Sequence, residues 1–151
     1  MAGQLGAWKP DEVGRRGAQI ARRLWPSIRL LHEGEAEDRN GTDAILGPLR
    51  VQIKTDATIA RTHNLYVELF EKTAGKPQQR WRCSPSKADR YIFVTEGFAV
   101  WVDVDRLAAA IAAAGELRDI SETSIGILVP LNKVEPKTVM SHNYWGQEML
   151  L

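Results

Sequence analysis

Asp43, Gln52 and Lys54 are the residues of this sequence whose types and spacing suit a chemical reaction. A carboxylate and an amide oxygen are hard ligands that suit Mg²⁺, which prefers oxygen and keeps several waters. A metal-bound water beside a lysine ammonium can act as a hydroxide nucleophile, and the metal and the ammonium stabilise extra charge on a phosphorus under attack. The residue types therefore indicate phosphodiester hydrolysis with Mg²⁺, for which Mn²⁺ can substitute.

Residues 41–56 predict a hairpin that would bring these side chains together. Glycine at the first position of a two-residue turn suits type II′, so Gly47-Pro48 is the expected turn. In that register Asp43 lies directly opposite Gln52, with Cβ atoms about 4.5 to 5.5 Å apart. Strand alternation places Lys54 on the same face as Gln52. It places Val51 and Ile53 on the opposite, buried face.

Plainer explanations stay open for each of these residues. Asp43 follows an Asn-Gly-Thr segment and could simply close a turn. Gln52 and Lys54 on an alternating strand are also typical of an ordinary solvated face. The case for a site depends on all three residues converging.

The elements that must position these residues follow the order helix, three strands, two more strands, helix, strand. Apolar residues spaced by three and four predict a helix at 10–24 that begins with proline and two acids and ends before Trp25-Pro26. Further along the chain we expect strands at 64–70, 90–94, 99–104 and 124–131, and a helix at 106–114 that Asp105 caps and Gly115 ends. This order predicts an α/β or α+β fold around a mixed sheet.

Length and composition indicate one domain. The chain has 151 residues, of which 44% are hydrophobic and 26% charged, enough for one real core. We expect a domain over residues 1–131 and an irregular tail over 132–151 that binds a partner. The single cysteine, Cys83, precludes an internal disulfide, and no signal peptide or membrane span is recognisable. These features predict a soluble, cytoplasmic protein that does not bind a membrane.

Two basic segments flank an acidic one. Residues 9–23 carry five lysines and arginines against two acids, and residues 72–90 carry six against one, whereas residues 33–43 carry five acids against one arginine. Such segments suit a polyanion, and Trp81 between two arginines could stack on an exposed base. The plainer alternative is a basic helix face and a solvated loop with one buried tryptophan. The candidate nucleic-acid contacts are Arg15, Arg16, Lys76, Arg80, Trp81, Arg82 and Lys87.

A longer pattern contains the three residues. "TD" at 42–43 lies nine residues ahead of "QIK" at 52–54, and "QIKTDATIARTHNLYVELFE" is followed by a glycine, a serine-containing loop and "ADRYIFV". This pattern resembles the PD-(D/E)xK nuclease superfamily, in the variant with glutamine for the second acid, as in Mrr-like restriction enzymes. The resemblance covers about residues 10–112. Thr42 replaces the proline of the family name, and His63 stands where glycine is expected.

The resemblance implies a restriction-endonuclease-like mixed sheet flanked by helices. It implies that Asp43 and Gln52 bind the metal and that Lys54 activates or positions the water, with Glu68 as an additional acidic ligand and Glu12 a weaker candidate. A surface salt bridge would explain Glu68 equally well. The expected function is a structure-directed deoxyribonuclease similar to Holliday-junction resolvases, acting as a homodimer. The alternatives are a non-catalytic nucleic-acid-binding module and a subunit that docks a larger complex through its tail.

Overall fold

The chain folds as a mixed α and β structure, seen in a computed structural model that describes residues 10–31, 43–73, 76–79, 88–114, 118–119 and 124–147. Within these ranges the helices are α1 (Pro10–Leu24), α2 (Ile59–Thr62) and α3 (Val104–Ala114). The central sheet contains, in spatial order, β1 (Arg29–Leu30), β2 (Ala44–Leu46), β3 (Leu49–Thr55), β6 (Arg90–Val94), β7 (Phe98–Asp103) and β10 (Thr138–Ser141). The second sheet contains β5 (Lys76–Gln79), β4 (Asn64–Thr73), β9 (Ser124–Pro130) and β8 (Arg118–Asp119). The predicted fold class is confirmed.

The β2–β3 hairpin forms where the sequence predicts it. Ala44 lies opposite Val51 and Leu46 opposite Leu49, which is the predicted register. Gly47 has a φ of 59°, a left-handed conformation that glycine adopts without steric cost and that the first position of a type II′ turn requires. The turn residues therefore set the pairing of the two strands.

At strand β3 the pairing in the central sheet changes from antiparallel to parallel. It pairs antiparallel with β2 and parallel with β6. A parallel partner requires a long crossover connection, and residues 56–89 supply it, including α2, β4 and β5. As a result β3 is an interior strand, with backbone partners along both edges.

The central sheet separates two groups of buried side chains. The side covered by α1, called the α1 face below, includes Ile20, Ala21, Val51, Ile92, Val94, Trp101 and Trp145. The side covered by β4, β9 and α3, called the β4 face below, includes Leu65, Val67, Tyr91, Phe93, Val100, Leu107 and Ile127. Each face of β3 therefore meets a different environment.

Helix α1 packs on the sheet at a glycine. Gly17 and Ile20 are buried, as the spacing of apolar residues predicts. A Cβ atom at Gly17 would lie 2.7 Å from the Cβ of Thr55, closer than two non-bonded carbon atoms normally approach. The absence of a side chain at this position is what lets α1 lie directly against β3.

Helix α3 differs slightly from its prediction. It begins at Val104 rather than after Asp105, which lies within its first turn instead of capping it. Acidic residues in the first turn stabilise a helix through its dipole without acting as the cap.

No helix in the part of the chain that the structure describes is long and apolar enough to cross a membrane.

The prediction of an irregular tail over 132–151 is wrong at residues 138–141, which form strand β10. After a short 3₁₀ turn at Leu131–Lys133, strand β10 pairs antiparallel with β7 and forms one edge of the central sheet. Trp145 is only 3% exposed and packs in the α1-face core. A four-residue strand has too few positions for a clear alternating pattern, so its pairing partner had to be known before it could be recognised.

Candidate active site

Asp43 is anchored to the hairpin just before β2 begins. Its backbone N–H donates to the Val51 carbonyl at 2.8 Å, and its own carbonyl accepts the N–H of Leu31 at 2.9 Å. Its carboxylate Oδ2 accepts the backbone N–H of Ile53 at 2.8 Å. The carboxylate is thus fixed against the main chain of β3, at the residue between Gln52 and Lys54.

This geometry differs from the predicted direct opposition of Asp43 and Gln52. The Asp43 N–H bonds to the carbonyl of Val51, the residue that already lies opposite Ala44. Two successive residues therefore meet one residue of β3, as in a β-bulge. The predicted Asp43–Gln52 pair is replaced by a contact between the Asp43 carboxylate and the β3 backbone.

Gln52 is buried. Its side chain belongs to the β4 face, because it lies beside Tyr91 in the parallel β3–β6 register and Tyr91 is part of the core on that side. The residue is 3% exposed, so the interpretation of Gln52 as part of a solvated face is wrong. Burying an amide is costly unless it is hydrogen-bonded, and the Gln52 side chain has polar interactions in this structure.

Lys54 lies two residues further along on the same face. It is half-buried and lies beside Phe93 in the β3–β6 register. A lysine can cover apolar surface with its stem while its ammonium extends to a polar region. The Lys54 side chain projects from the same face of β3 as that of Gln52.

The ends of β3 are fastened to β6. At the start of β3, the Asp89 carboxylate Oδ2 accepts the Arg50 N–H at 2.8 Å, and the Arg50 carbonyl accepts the Asp89 N–H at 2.9 Å. At the other end the Asp56 N–H donates to the Val94 carbonyl at 3.0 Å. The strand that carries Gln52 and Lys54 is thus held rigidly, as a reactive or binding site requires.

The buried Thr95, which directly follows β6, supports the turn between β3 and α2. The Thr95 Oγ1 accepts the Ala60 N–H at 3.0 Å, and Asp56 Oδ1 accepts the Thr58 N–H at 2.8 Å. These bonds hold the first residues of α2 against the end of β6. Sequence reasoning missed Thr95, since a single threonine after a strand gives no signal of its partners.

His63 stands where the resemblance to the nuclease superfamily predicts glycine. The residue ends α2 with a φ of 55° and its N–H donates to the Ile59 carbonyl at 2.8 Å. Glycine is the residue that most readily takes this left-handed conformation, which accounts for the expectation of glycine there. Histidine is among the few other residue types enriched in it, so the turn is kept in this chain.

Glu68 lies in β4, opposite Gly126 of β9. The register of this strand pair shifts between Glu68 and Phe70, which marks a bulge, a feature frequent next to active sites. The Glu68 side chain lies outside the described part of the structure. Its role as an additional metal ligand stays a prediction.

The predicted nucleic-acid contacts fall in different parts of the molecule. Arg15 is exposed on α1, whereas Arg16 is half-buried and forms an ion pair of 3.2 Å with Glu12, which accounts for Glu12 without a metal. Lys76 lies in β5, of which only the backbone is described. Arg80, Trp81, Arg82, Cys83 and Lys87 lie outside the described residues.

The donor set of the candidate site suits a hard cation. Asp43 and Gln52 offer carboxylate and amide oxygens, and the Asp43 Oδ2 also accepts the Ile53 N–H. Mg²⁺ is commonly held by only one or two carboxylates together with water. Within the described residues no three histidine, cysteine, aspartate or glutamate side chains form a metal-binding group.

Comparison of the chain with models of known protein families and with curated proteins found no match. The geometry around Asp43, Gln52 and Lys54 is therefore the main evidence on function.

Proposed function

We propose that this protein is a cytoplasmic, metal-dependent deoxyribonuclease of the PD-(D/E)xK type. The observation that carries the proposal is the 2.8 Å hydrogen bond from the Ile53 N–H to the Asp43 carboxylate. It holds a carboxylate at the residue that separates a buried glutamine from a half-buried lysine. An ordinary hairpin has no need for this combination, and phosphodiester hydrolysis uses all three groups.

Each residue has a role that its environment supports. Asp43 and Gln52 would hold Mg²⁺, with Glu68 as the candidate for a further carboxylate. The metal, when bound, supplies Lewis-acid polarisation of the phosphate and a more acidic water. Lys54 would donate hydrogen bonds to the water or to a phosphate oxygen and stabilise negative charge there.

The rigidity of β3 supports a site of the kind that catalysis requires. Catalytic groups must be held to within about 0.5 Å of the productive geometry, and both ends of β3 are tied to β6 through Asp89 and Asp56.

A domain of this size has little surface with which to recognise a long DNA sequence. We therefore propose that the substrate is recognised by its structure, as a junction or a replication intermediate, and that a homodimer places two sites on two strands.

Cleavage assays with substituted proteins test the proposal. Labelled single-stranded, duplex, flap and four-way junction DNA, with an RNA control, would be incubated in Mg²⁺, Mn²⁺ or EDTA. Asp43→Asn keeps an oxygen for the Ile53 N–H but removes the charge, and Lys54→Met keeps the stem but removes the ammonium. The matched control is Lys137→Met, which removes an exposed lysine just before β10.

We expect metal-dependent cutting by the wild-type protein and by Lys137→Met, and a loss of at least about a hundredfold in the other two variants, which is typical of a missing electrostatic group. Cutting by Asp43→Asn and Lys54→Met at the wild-type rate would refute the proposed site. DNA binding by all four proteins without cutting would instead favour the non-catalytic binding module.

A further inference from the structure

Residues 13–31 contain five arginines and no acidic residue or lysine. Three of these arginines, Arg15, Arg22 and Arg23, are exposed on α1, and Arg29 is exposed on β1. Arginine offers a planar fork of donors that matches phosphate oxygens and is more weakly hydrated than lysine. The consistent use of arginine in this segment indicates a surface for phosphate groups rather than general solubility.

The helical geometry arranges these arginines in two rows. Gly17, Ile20 and Ala21 are buried against the sheet, and at 100° per residue Arg15 and Arg22 lie on the opposite, outermost line of α1. Residues seven apart are separated by about 10 Å along the axis, which matches about three base-pair steps of duplex DNA. Arg16 and Arg23 form a parallel row with the same spacing, although Arg16 is partly engaged by Glu12.

These rows lie on the other side of the central sheet from the candidate active site. Helix α1 contacts β3 through Gly17 and Thr55 on the α1 face, whereas Gln52 and Lys54 belong to the β4 face. The helix with its side chains is about 10 to 12 Å thick, so the outer arginines lie at least that far beyond the sheet. A straight duplex on the Gln52 side cannot also lie along the outside of α1.

We infer that the exposed arginines of α1 and β1, Arg15, Arg22, Arg23 and Arg29, form a second phosphate-binding surface that holds a different arm of a branched nucleic acid from the arm being cut. The inference rests on the proposed function and gives it a substrate class. One arm would lie at Asp43, Gln52 and Lys54, and the other would follow the outside of α1.

Equilibrium binding in EDTA tests the inference without any cleavage. Fluorescence anisotropy would measure the affinity of the full chain for a labelled four-way junction and for a short duplex equal to one arm, at about 50 to 200 mM salt. The test variant is Arg22→Ala/Arg23→Ala. The control is Arg106→Ala/Lys133→Ala, which removes the same charge from exposed residues of α3 and the turn after β9.

We expect Arg22→Ala/Arg23→Ala to bind the junction about tenfold more weakly and to lower the salt slope of log K by about 2, since each lost phosphate contact lowers it by about 0.9. Its affinity for the short duplex should change less than about threefold. The control should show no loss that is selective for the junction.

Unchanged junction binding by Arg22→Ala/Arg23→Ala, or an equal loss for junction and duplex, would overturn the inference. The outcome is separate from the proposed function, because cleavage by the wild-type protein in Mg²⁺ is scored independently. A protein that never cuts but shows the selective loss would still possess the second surface.

Discussion

The two faces of strand β3 differ in the kind of residue that they tolerate. On the α1 face, Val51 is fully buried and Thr55 lies so close to Gly17 that α1 can carry no side chain there. On the β4 face, the same strand carries Gln52, which is 3% exposed, and Lys54. Under the proposed function, the apolar face of this interior strand serves stability and its polar face serves chemistry.

Because of this difference, substitutions on the two faces of β3 should affect different properties of the protein. Changes on the α1 face should lower the free energy of unfolding, because close packing there leaves no room for adjustment. Changes on the β4 face that preserve hydrogen bonds should leave stability nearly intact and affect metal binding and cleavage. The experiments below test that distinction, beginning with the largest expected change in stability.

Gly17→Ala should give the largest loss, about 3 kcal/mol in the free energy of unfolding. The added Cβ would lie 2.7 Å from the Thr55 Cβ, so α1 must move away from β3, and overpacking typically costs about 1 to 3 kcal/mol. Urea unfolding provides the measurement. Gly14→Ala is the matched control, because nothing lies within 4 Å of its Cβ, and it should stabilise the helix by up to about 1 kcal/mol. Equal effects of the two substitutions would contradict the close packing of α1.

Gln52→Glu should have an intermediate effect that depends on metal. Without Mg²⁺, an acid at a position that is 3% exposed should lower the unfolding free energy by about 2 kcal/mol, because its charge is poorly solvated. Mg²⁺ should recover much of this loss, since a ligand at a hundred times its Kd adds about 2.7 kcal/mol. Thermal melts with and without Mg²⁺ measure both effects.

Gln19→Glu on α1 is the control for that experiment, because it adds the same charge to a half-buried position on the helix that covers the α1 face. Its melting temperature should not respond to Mg²⁺. If Mg²⁺ stabilised Gln52→Glu no more than Gln19→Glu, the β4 face would not be the metal-binding face.

Asp43→Asn should have the smallest effect on stability, less than about 1 kcal/mol, because its amide oxygen can still accept the Ile53 N–H. Asp43→Ala is the informative comparison. It leaves that N–H without its partner and should cost about 1 to 3 kcal/mol. Urea unfolding of both variants separates the hydrogen bond from the charge. A loss in Asp43→Asn as large as in Asp43→Ala would mean that the charge itself stabilises the hairpin.

Much of the fold was predictable because local patterns agree with the tertiary structure. The apolar spacing in residues 10–24 gave α1, the Gly47-Pro48 turn gave the hairpin register, and alternation placed Val51 in the core. In each case the responsible interaction lies within a few residues along the chain. Strand β10 was missed because its existence depends on the edge of β7, about forty residues away.

The sequence by itself determined which residues could act together, namely Asp43, Gln52 and Lys54, because a hairpin links them through local turn geometry and strand periodicity. Only the tertiary structure decided how they are held. The parallel pairing of β3 with β6 buries Gln52 beside Tyr91. Because β2 begins only at Ala44, the Ile53 N–H donates to the Asp43 carboxylate rather than to a β2 carbonyl. It also decided that the arginines of α1 lie on the opposite side of the sheet. Such relations depend on contacts between segments distant in the chain, which periodicity and spacing do not encode.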